Sequence, residues 1–449
     1  MPRRSLRRTA AVVAAVALLA GCSQQISGVG SYSSGQRNVA DAKIDIVGSD
    51  SGEVDKLTGN AIFDVQKFWT DRMPKIFGKQ YQPVRKFYSV DPDKVDETVP
   101  CTRSAAAIRG NAFYCPSADI VAWDRKVLFP ALIKKFDKFL IAMVIAHEWG
   151  HVIQHRTEMP SSKTIVIESQ ADCYAGAFTA SVLRGEAPHW EIDRAELDQA
   201  LAGYLLFRDP LGASQNDRNA HGSGFDRIVA FQEGFDEDVK HCSTFDSSRK
   251  FTEIQYANPR DEANKGNMPY NQALQLGPQD LAEYWNTTFT NTYNRQWQAP
   301  KVQPYTSERP SCDGQAVSAV AYCPGDNTIY YNQGDSMQKV YRDTGDFAPM
   351  ILIGVAYGQA VRKQLGRTVN GEDALLGSIC LAGAYARAAF ERKPGQGQGK
   401  IILSPGDLDE AVQALLNYVG ATGFFEARGT VGFDRVASFR KGFNDVQNC

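Results

Sequence analysis

The sequence predicts a mostly helical α+β protein in which one fold is written twice. Three observations lead there. Segments of the first half recur in the same order in the second. An apolar run of helical character carries His147-Glu148-Trp149-Gly150-His151. Each half also holds a short run of β-formers just after a Cys-Pro pair.

At the N-terminus, Arg3, Arg4, Arg7 and Arg8 precede an apolar stretch from Ala10 to Ala20. A basic start followed by a short apolar run makes residues 1–21 an export signal rather than a spanning helix. It ends Leu19-Ala20-Gly21-Cys22, which resembles the bacterial lipobox. That resemblance implies lipidation of Cys22 and a protein held on the extracytoplasmic face of a bacterial membrane, in the cell envelope. Stable attachment takes more than one acyl chain. Residues 22–57, rich in Ser, Gly, Gln and Asp, read as a flexible tether. No later stretch is long and apolar enough to cross a bilayer. A net charge of −2 argues against nucleic acid as a partner.

The first copy spans about 58–242 and opens on a helix around IFDVQKFW (62–69). Val121-Ala122-Trp123, following turn residues, reads as a strand beside Cys115-Pro116. The segment 136–155 is apolar nearly all round, as a central helix is. Met159-Pro160-Ser161-Ser162 then breaks the chain before a second, Ala- and Gly-rich helix carrying Glu168.

On the central helix, His147 and His151 stand four apart, so both imidazoles lie on one face and can reach a single metal ion. Glu148 sits beside that face, where it can take a proton from water activated by the metal. This is the H-E-x-x-H pattern of zinc peptidases. Such a site needs a third protein ligand and an open fourth position. Glu168 can supply the ligand. Asp172, one turn further along, is placed to accept the outer N–H of a ligand histidine. His155 lies eight residues from His147, a helical advance of about 12 Å, too far to share the ion.

HEWGHVIQ, the following E-x-x-A-D (Glu168 to Asp172), the upstream Phe113-Tyr114-Cys115-Pro116 and the downstream His221-Gly222-Ser223 together resemble the putative neutral zinc metallopeptidase family. The resemblance covers about residues 58–242 and rests on several separated motifs. It implies a zincin-like domain that binds Zn2+ through His147, His151 and Glu168, with Glu148 as general base. Its substrate would then be a peptide or protein of the cell envelope.

The repeat extends this reading. GFDRIVAFQEGFDEDVKHC (224–242) recurs as GFDRVASFRKGFNDVQNC (432–449), and AFYCPSADIVAWD (112–124) as AYCPGDNTIYYN (321–332). A second copy therefore occupies about 278–449, after a polar connector at 243–277. Aligning VIAHEWGHVIQ with GVAYGQAVRKQ sets Tyr357, Gly358 and Val361 against His147, Glu148 and His151. Leu375, Ile379 and Gly429 fall opposite Glu168, Asp172 and His221. Every proposed metal group is lost together, so the second copy is a degenerate repeat that cannot hold catalytic zinc. The same joint loss makes His221 a candidate active-site group, able to donate to a developing oxyanion.

Besides Cys22 there are eight cysteines, four in each copy at closely matched spacing. In an exported protein that pattern reads as a disulfide framework. Four cysteines allow three connectivities. The expected pairs are Cys101–Cys115 and Cys173–Cys242, with Cys312–Cys323 and Cys380–Cys449. Two function classes follow: a membrane-anchored zinc peptidase, and a cell-envelope scaffold or substrate-binding lipoprotein whose second copy is a pseudoenzyme module.

Overall fold

The computed structural model describes residues 35–159, 163–393, 400–419, 424–425 and 429–449. The export signal, Cys22 and the start of the tether lie outside the described residues. The front unit begins with β1 (Ile46–Val47), α1 (Glu53–Phe77), β2 (Lys86–Val90), β3 (Ala112–Cys115) and β4 (Ile120–Asp124). Five helices complete it: α2 (Leu128–Lys135), α3 (Phe139–Thr157), α4 (Thr164–Leu183), α5 (Arg194–Tyr204) and α6 (Gly224–Cys242). A short helix, α7 (Pro259–Ala263), lies between the units. The rear unit opens on α8 (Tyr270–Tyr293), followed by β5 (Lys301–Tyr305) and the small pair β6 (Ser311–Cys312) and β7 (Gln315–Ala316). Then come β8 (Val320–Cys323), β9 (Thr328–Asn332) and α9 (Asp335–Asp343). Four further helices follow: α10 (Phe347–Gln364), α11 (Glu372–Glu391), α12 (Asp407–Asn417) and α13 (Gly432–Asn444).

The front sheet runs β1-β2-β4-β3, parallel except for the final antiparallel pair, which leaves β3 as an edge. The rear sheet keeps the same core as β5-β9-β8. Residues 35–57 are no tether. Gly35 donates to Glu196 and Arg37 to the His189 carbonyl, Ala42 donates to Asn60, and β1 pairs with β2. These contacts are made by backbone amides, and the Asp41 carboxylate adds another by accepting from the Asn60 side chain. The connector is likewise shorter than expected, since α8 already begins at Tyr270 and runs through Pro278.

All four expected disulfides are present, and the two longer ones close loops of equal length, 69 residues. Cys173–Cys242 fastens α4 to α6 where they touch backbone to backbone. A Cβ at Gly176 would overlap the Phe231 carbonyl, and one at Gly234 the Cys173 carbonyl. Gly383 and Gly442 repeat that crossing between α11 and α13.

The same close packing corrects the register of the repeat. Gly150 of α3 lies against the Ala171 backbone, and Gly358 of α10 lies against that of Ser378. Gly358 is thus the counterpart of Gly150, not of Glu148. This two-residue shift puts Val355, Ala356 and Gln359 at the positions of His147, Glu148 and His151. The conclusion survives the correction, because none of the three is a usable zinc ligand at that site.

The units are joined reciprocally. Asp198 of α5 accepts the Gly432 and Phe433 amides at the start of α13. Asp409 of α12 accepts the Phe225 amide at the start of α6, at 2.7 Å, and the Arg208 guanidinium at 2.6 Å. Each unit thus caps the other's last helix, where a carboxylate meets free N–H groups and the positive helix end. The equivalent phenylalanines are exchanged as well: Phe225 packs on Phe439 and Phe443 in the rear core, and Phe433 on Phe235 in the front one. This is the self-complementary pattern of a two-fold interface within one chain.

Asp346, Asp407 and Glu410 converge in the interior of the rear unit, all buried. Glu410 caps α10 through the Phe347 amide at 2.9 Å, while one oxygen of Asp346 and one of Asp407 find no donor among the described residues. Burial, joined by the nearby charge of Asp261, pushes Asp346 up to about 7, while burial and repulsion from Asp346 push Glu410 up to about 8 and raise Asp407 as well. The native state therefore holds protons that the unfolded chain, with carboxyl pKa values of about 4, has released. Stability from this cluster is complete below the unfolded values and is lost as pH rises through the native ones. Urea midpoints are expected to fall from about pH 5.5 to about pH 8.5, and Glu410→Gln is expected to flatten that slope. Parallel slopes for the two proteins would remove the cluster as its source.

Candidate metal centre

Gly150 is what brings the site together. With no side chain there, α3 settles onto α4 at Ala171, and the histidine face of one helix meets the carboxylate face of the other. His147 Nε2 stands 3.2 Å from Glu168 Oε2, and His151 Nε2 stands 3.5 Å from Glu168 Oε1. The two imidazoles lie edge to face, 4.9 Å between centroids. His147 and Glu168 are buried, and the His151 side chain is open only on its cleft side.

Outer partners determine which atoms face inward. His147 Nδ1 lies 2.7 Å from Asp172 Oδ1, and a carboxylate can only accept, so Nδ1 carries the proton. Gln154 donates its amide to the Ile167 carbonyl at 2.7 Å, which turns its oxygen toward His151 Nδ1 at 2.9 Å. Both Nε2 atoms are thereby left as lone pairs aimed at Glu168. Glu168 Oε2 is buried and has no hydrogen-bond donor. Three acceptors facing one another with no donor among them are suited to a cation, and this donor set, two imidazoles and a carboxylate, fits zinc.

The charges tell the same story. Burial pulls the His147 pKa down, but Asp172 and Glu168 outweigh it and lift it to about 10; His151 is raised as well, chiefly by Glu168 against the same opposition. Burial also opposes ionisation of Glu168, yet the facing histidines hold it well below its usual range. Without a metal the pocket gathers protons in its place.

Asp172 is itself clamped. Arg227 of α6 donates to both its oxygens, at 2.9 and 2.7 Å, and Tyr204 of α5 donates its hydroxyl to Oδ1. Arg227 lies over the Tyr204 ring, 5.0 Å from its centre, and reaches the Phe207 carbonyl. Burial would raise Asp172, but Arg227 and His147 bring it down to about 2. The rear unit has kept the arginine without its partner. Arg435 is buried where Ile379 replaces the aspartate; its Nη2 lies 3.8 Å from Asp198, its Nε and Nη1 find no partner among the described residues, and burial lowers its pKa.

Glu148 is buried beside the histidines, and one of its oxygens accepts the Tyr114 amide of β3 at 2.9 Å. Burial raises its pKa, against the pull of His147 and His151. His221 stands at the rim. Asp209 accepts its amide at 2.8 Å and approaches its Nδ1 at 3.3 Å, leaving Nε2 3.9 Å from Glu168. The hydrogen bond it donates to Asp209 is the main cause of its raised pKa. Gly222, at φ +102°, makes the turn that lets Asp209 reach both amides. His155 is exposed at the mouth, its ring 6.1 Å from that of Tyr114. The cleft over these groups encloses about 860 Å³, between the β3 edge, α3 and the loop from Phe207 to His221.

Sequence reasoning missed Tyr204, Arg227, Gln154 and the Tyr114 amide. Asp172→Asn removes the carboxylate that fixes the His147 tautomer. It is expected to weaken divalent-metal affinity roughly 10- to 100-fold, measured by competition with a chromogenic chelator. Affinity equal to that of the native protein would remove Asp172 from this role.

No curated protein and no solved structure matches the chain. A family model described as putative neutral zinc metallopeptidase matches residues 7–245 and again 253–421, one stretch for each unit. The chain therefore belongs to the putative neutral zinc metallopeptidase family.

Proposed function

We propose that this protein hydrolyses peptide bonds at the front unit, using zinc, from the outer face of a bacterial membrane to which lipid on Cys22 tethers it. The observation that carries the reading is the donor-free convergence of His147 Nε2, His151 Nε2 and Glu168, beside a buried Glu148, on the floor of an open cleft. His147, His151 and Glu168 would hold the ion. Zinc held there lowers the pKa of a water and polarises the scissile carbonyl.

The remaining steps belong to side chains of this protein. Tyr114 anchors one oxygen of Glu148, and the other is left to take the proton of the attacking water and pass it to the departing amine. The raised pKa of Glu148 suits it to both transfers. His221, whose pKa is raised chiefly by its hydrogen bond to Asp209, donates to the oxyanion from the rim. An extended substrate pairs along the free edge of β3, where main-chain bonds hold any sequence. The rear unit, with Val355, Gln359 and Leu375 at the ligand positions, acts as a frame; in the competing reading the whole chain is a scaffold or substrate-binding lipoprotein.

Glu148→Gln is expected to keep its zinc, by metal analysis of the purified protein, while peptide turnover falls roughly 10²- to 10⁴-fold. Undiminished turnover would take the proton transfer away from Glu148. For the anchor, Cys22→Ser is expected to move the protein from the membrane to the soluble fraction on ultracentrifugation, whereas unchanged partition would rule out lipid attachment at that residue.

A further inference from the structure

Beside the cleft lies a second groove, of about 670 Å³, formed between the two units. Arg208, Asp209 and Pro210 line both, so a chain leaving the cleft over this loop passes into the groove. Its front wall is apolar, with Phe136, Leu205, Leu206 and Leu211, and Leu206 is 54% exposed. Its rear wall is the end of α12, with the amides of Gln413 and Asn417. The one cation shared with the cleft, Arg208, is already neutralised by Asp409 at 2.6 Å.

We propose that this groove holds the unfolded stretch of substrate polypeptide that flanks the scissile bond. The protein is then an endopeptidase that reads an extended chain, and the rear unit contributes to substrate binding although it has no metal ligands. The inference rests on the peptidase reading for the chemistry in the cleft, and the groove adds the requirement for length. Its shape selects the occupant. A volume of this size is typical of a site that swallows side chains, whereas a folded partner needs about 800 Å² of matched surface on each side. Leu206 is the single large, strongly exposed apolar side chain on its walls among the described residues, too little for such a surface. Apolar side chains of a bound strand meet the leucines, while its main-chain N–H and C=O groups meet Gln413 and Asn417.

The test uses the full-length Glu148→Gln protein, which binds without cutting, with fluorescein-labelled β-casein as an unstructured long probe and a labelled tetrapeptide pool as a short one. Leu206→Glu from the front wall and Asn417→Trp from the rear each obstruct the groove without touching the metal site. Either is expected to weaken casein binding by fluorescence anisotropy about tenfold, with tetrapeptide binding unchanged. In the cleaving protein the same split is expected in KM, at constant kcat. Equal effects on both probes, or none on casein, would overturn the proposal. So would loss of self-association in the variants, by sedimentation, with casein binding intact, since the occupant would then be a second copy. If casein binds as expected but the native protein cuts neither probe, it is the peptidase reading that fails.

Discussion

The close approach of α3 and α4 at Gly150 is the constraint on which the rest of the cleft depends. Any side chain there would press into the Ala171 backbone and drive the helices apart. With glycine, the faces that carry His147, His151 and Glu168 meet at little more than 3 Å, a separation that three acceptors tolerate only around a positive charge. Packing of this kind is rigid, because the disulfide Cys173–Cys242 and the glycine crossing of α4 with α6 fix the second helix from behind. The side chains of the site are therefore held in place by packing and the disulfide.

Much of this was legible in the residues themselves. A four-residue spacing on a helix fixes which side chains share a face, so the pairs His147/His151 and Glu168/Asp172 could be read without coordinates. The matched cysteines announced a disulfide framework common to both copies, and of the three connectivities open to each copy the expected one is present. Arg227 was hidden by the very repeat that revealed so much else. Arg-227 and its counterpart Arg435 both sit in a GFDR motif, so the residue looked like frame, while the carboxylate it serves is on another helix, 55 residues away. Tyr204 and Gln154 act through hydrogen bonds set by tertiary packing, which no spacing announces.

Errors came where composition stood in for contact. Residues 35–57 have the content of a linker, yet their polar groups are spent on Asn60, Glu196 and the first sheet. The two-residue slip in the second copy arose because apolar helices align with one another almost anywhere. Only the glycine that touches the neighbouring backbone distinguishes the true register, and touching is a property of the fold.

The exchange of helix caps between the units has an outcome that reaches past stability. Were the two halves separate identical subunits, every residue would appear twice, and any alteration to one wall of the cleft would be imposed on its mirror image. Written as one polypeptide, the pair escapes that bond. The helix holding Asp409 abuts the loop that lines the cleft over His147, His151 and Glu168, whereas its twin holding Asp198 abuts the rear unit, where those side chains have no counterparts, so each is free to change alone. Covalent linkage has turned a symmetric scaffold into a handed one, with a chemical side and a side at liberty to specialise.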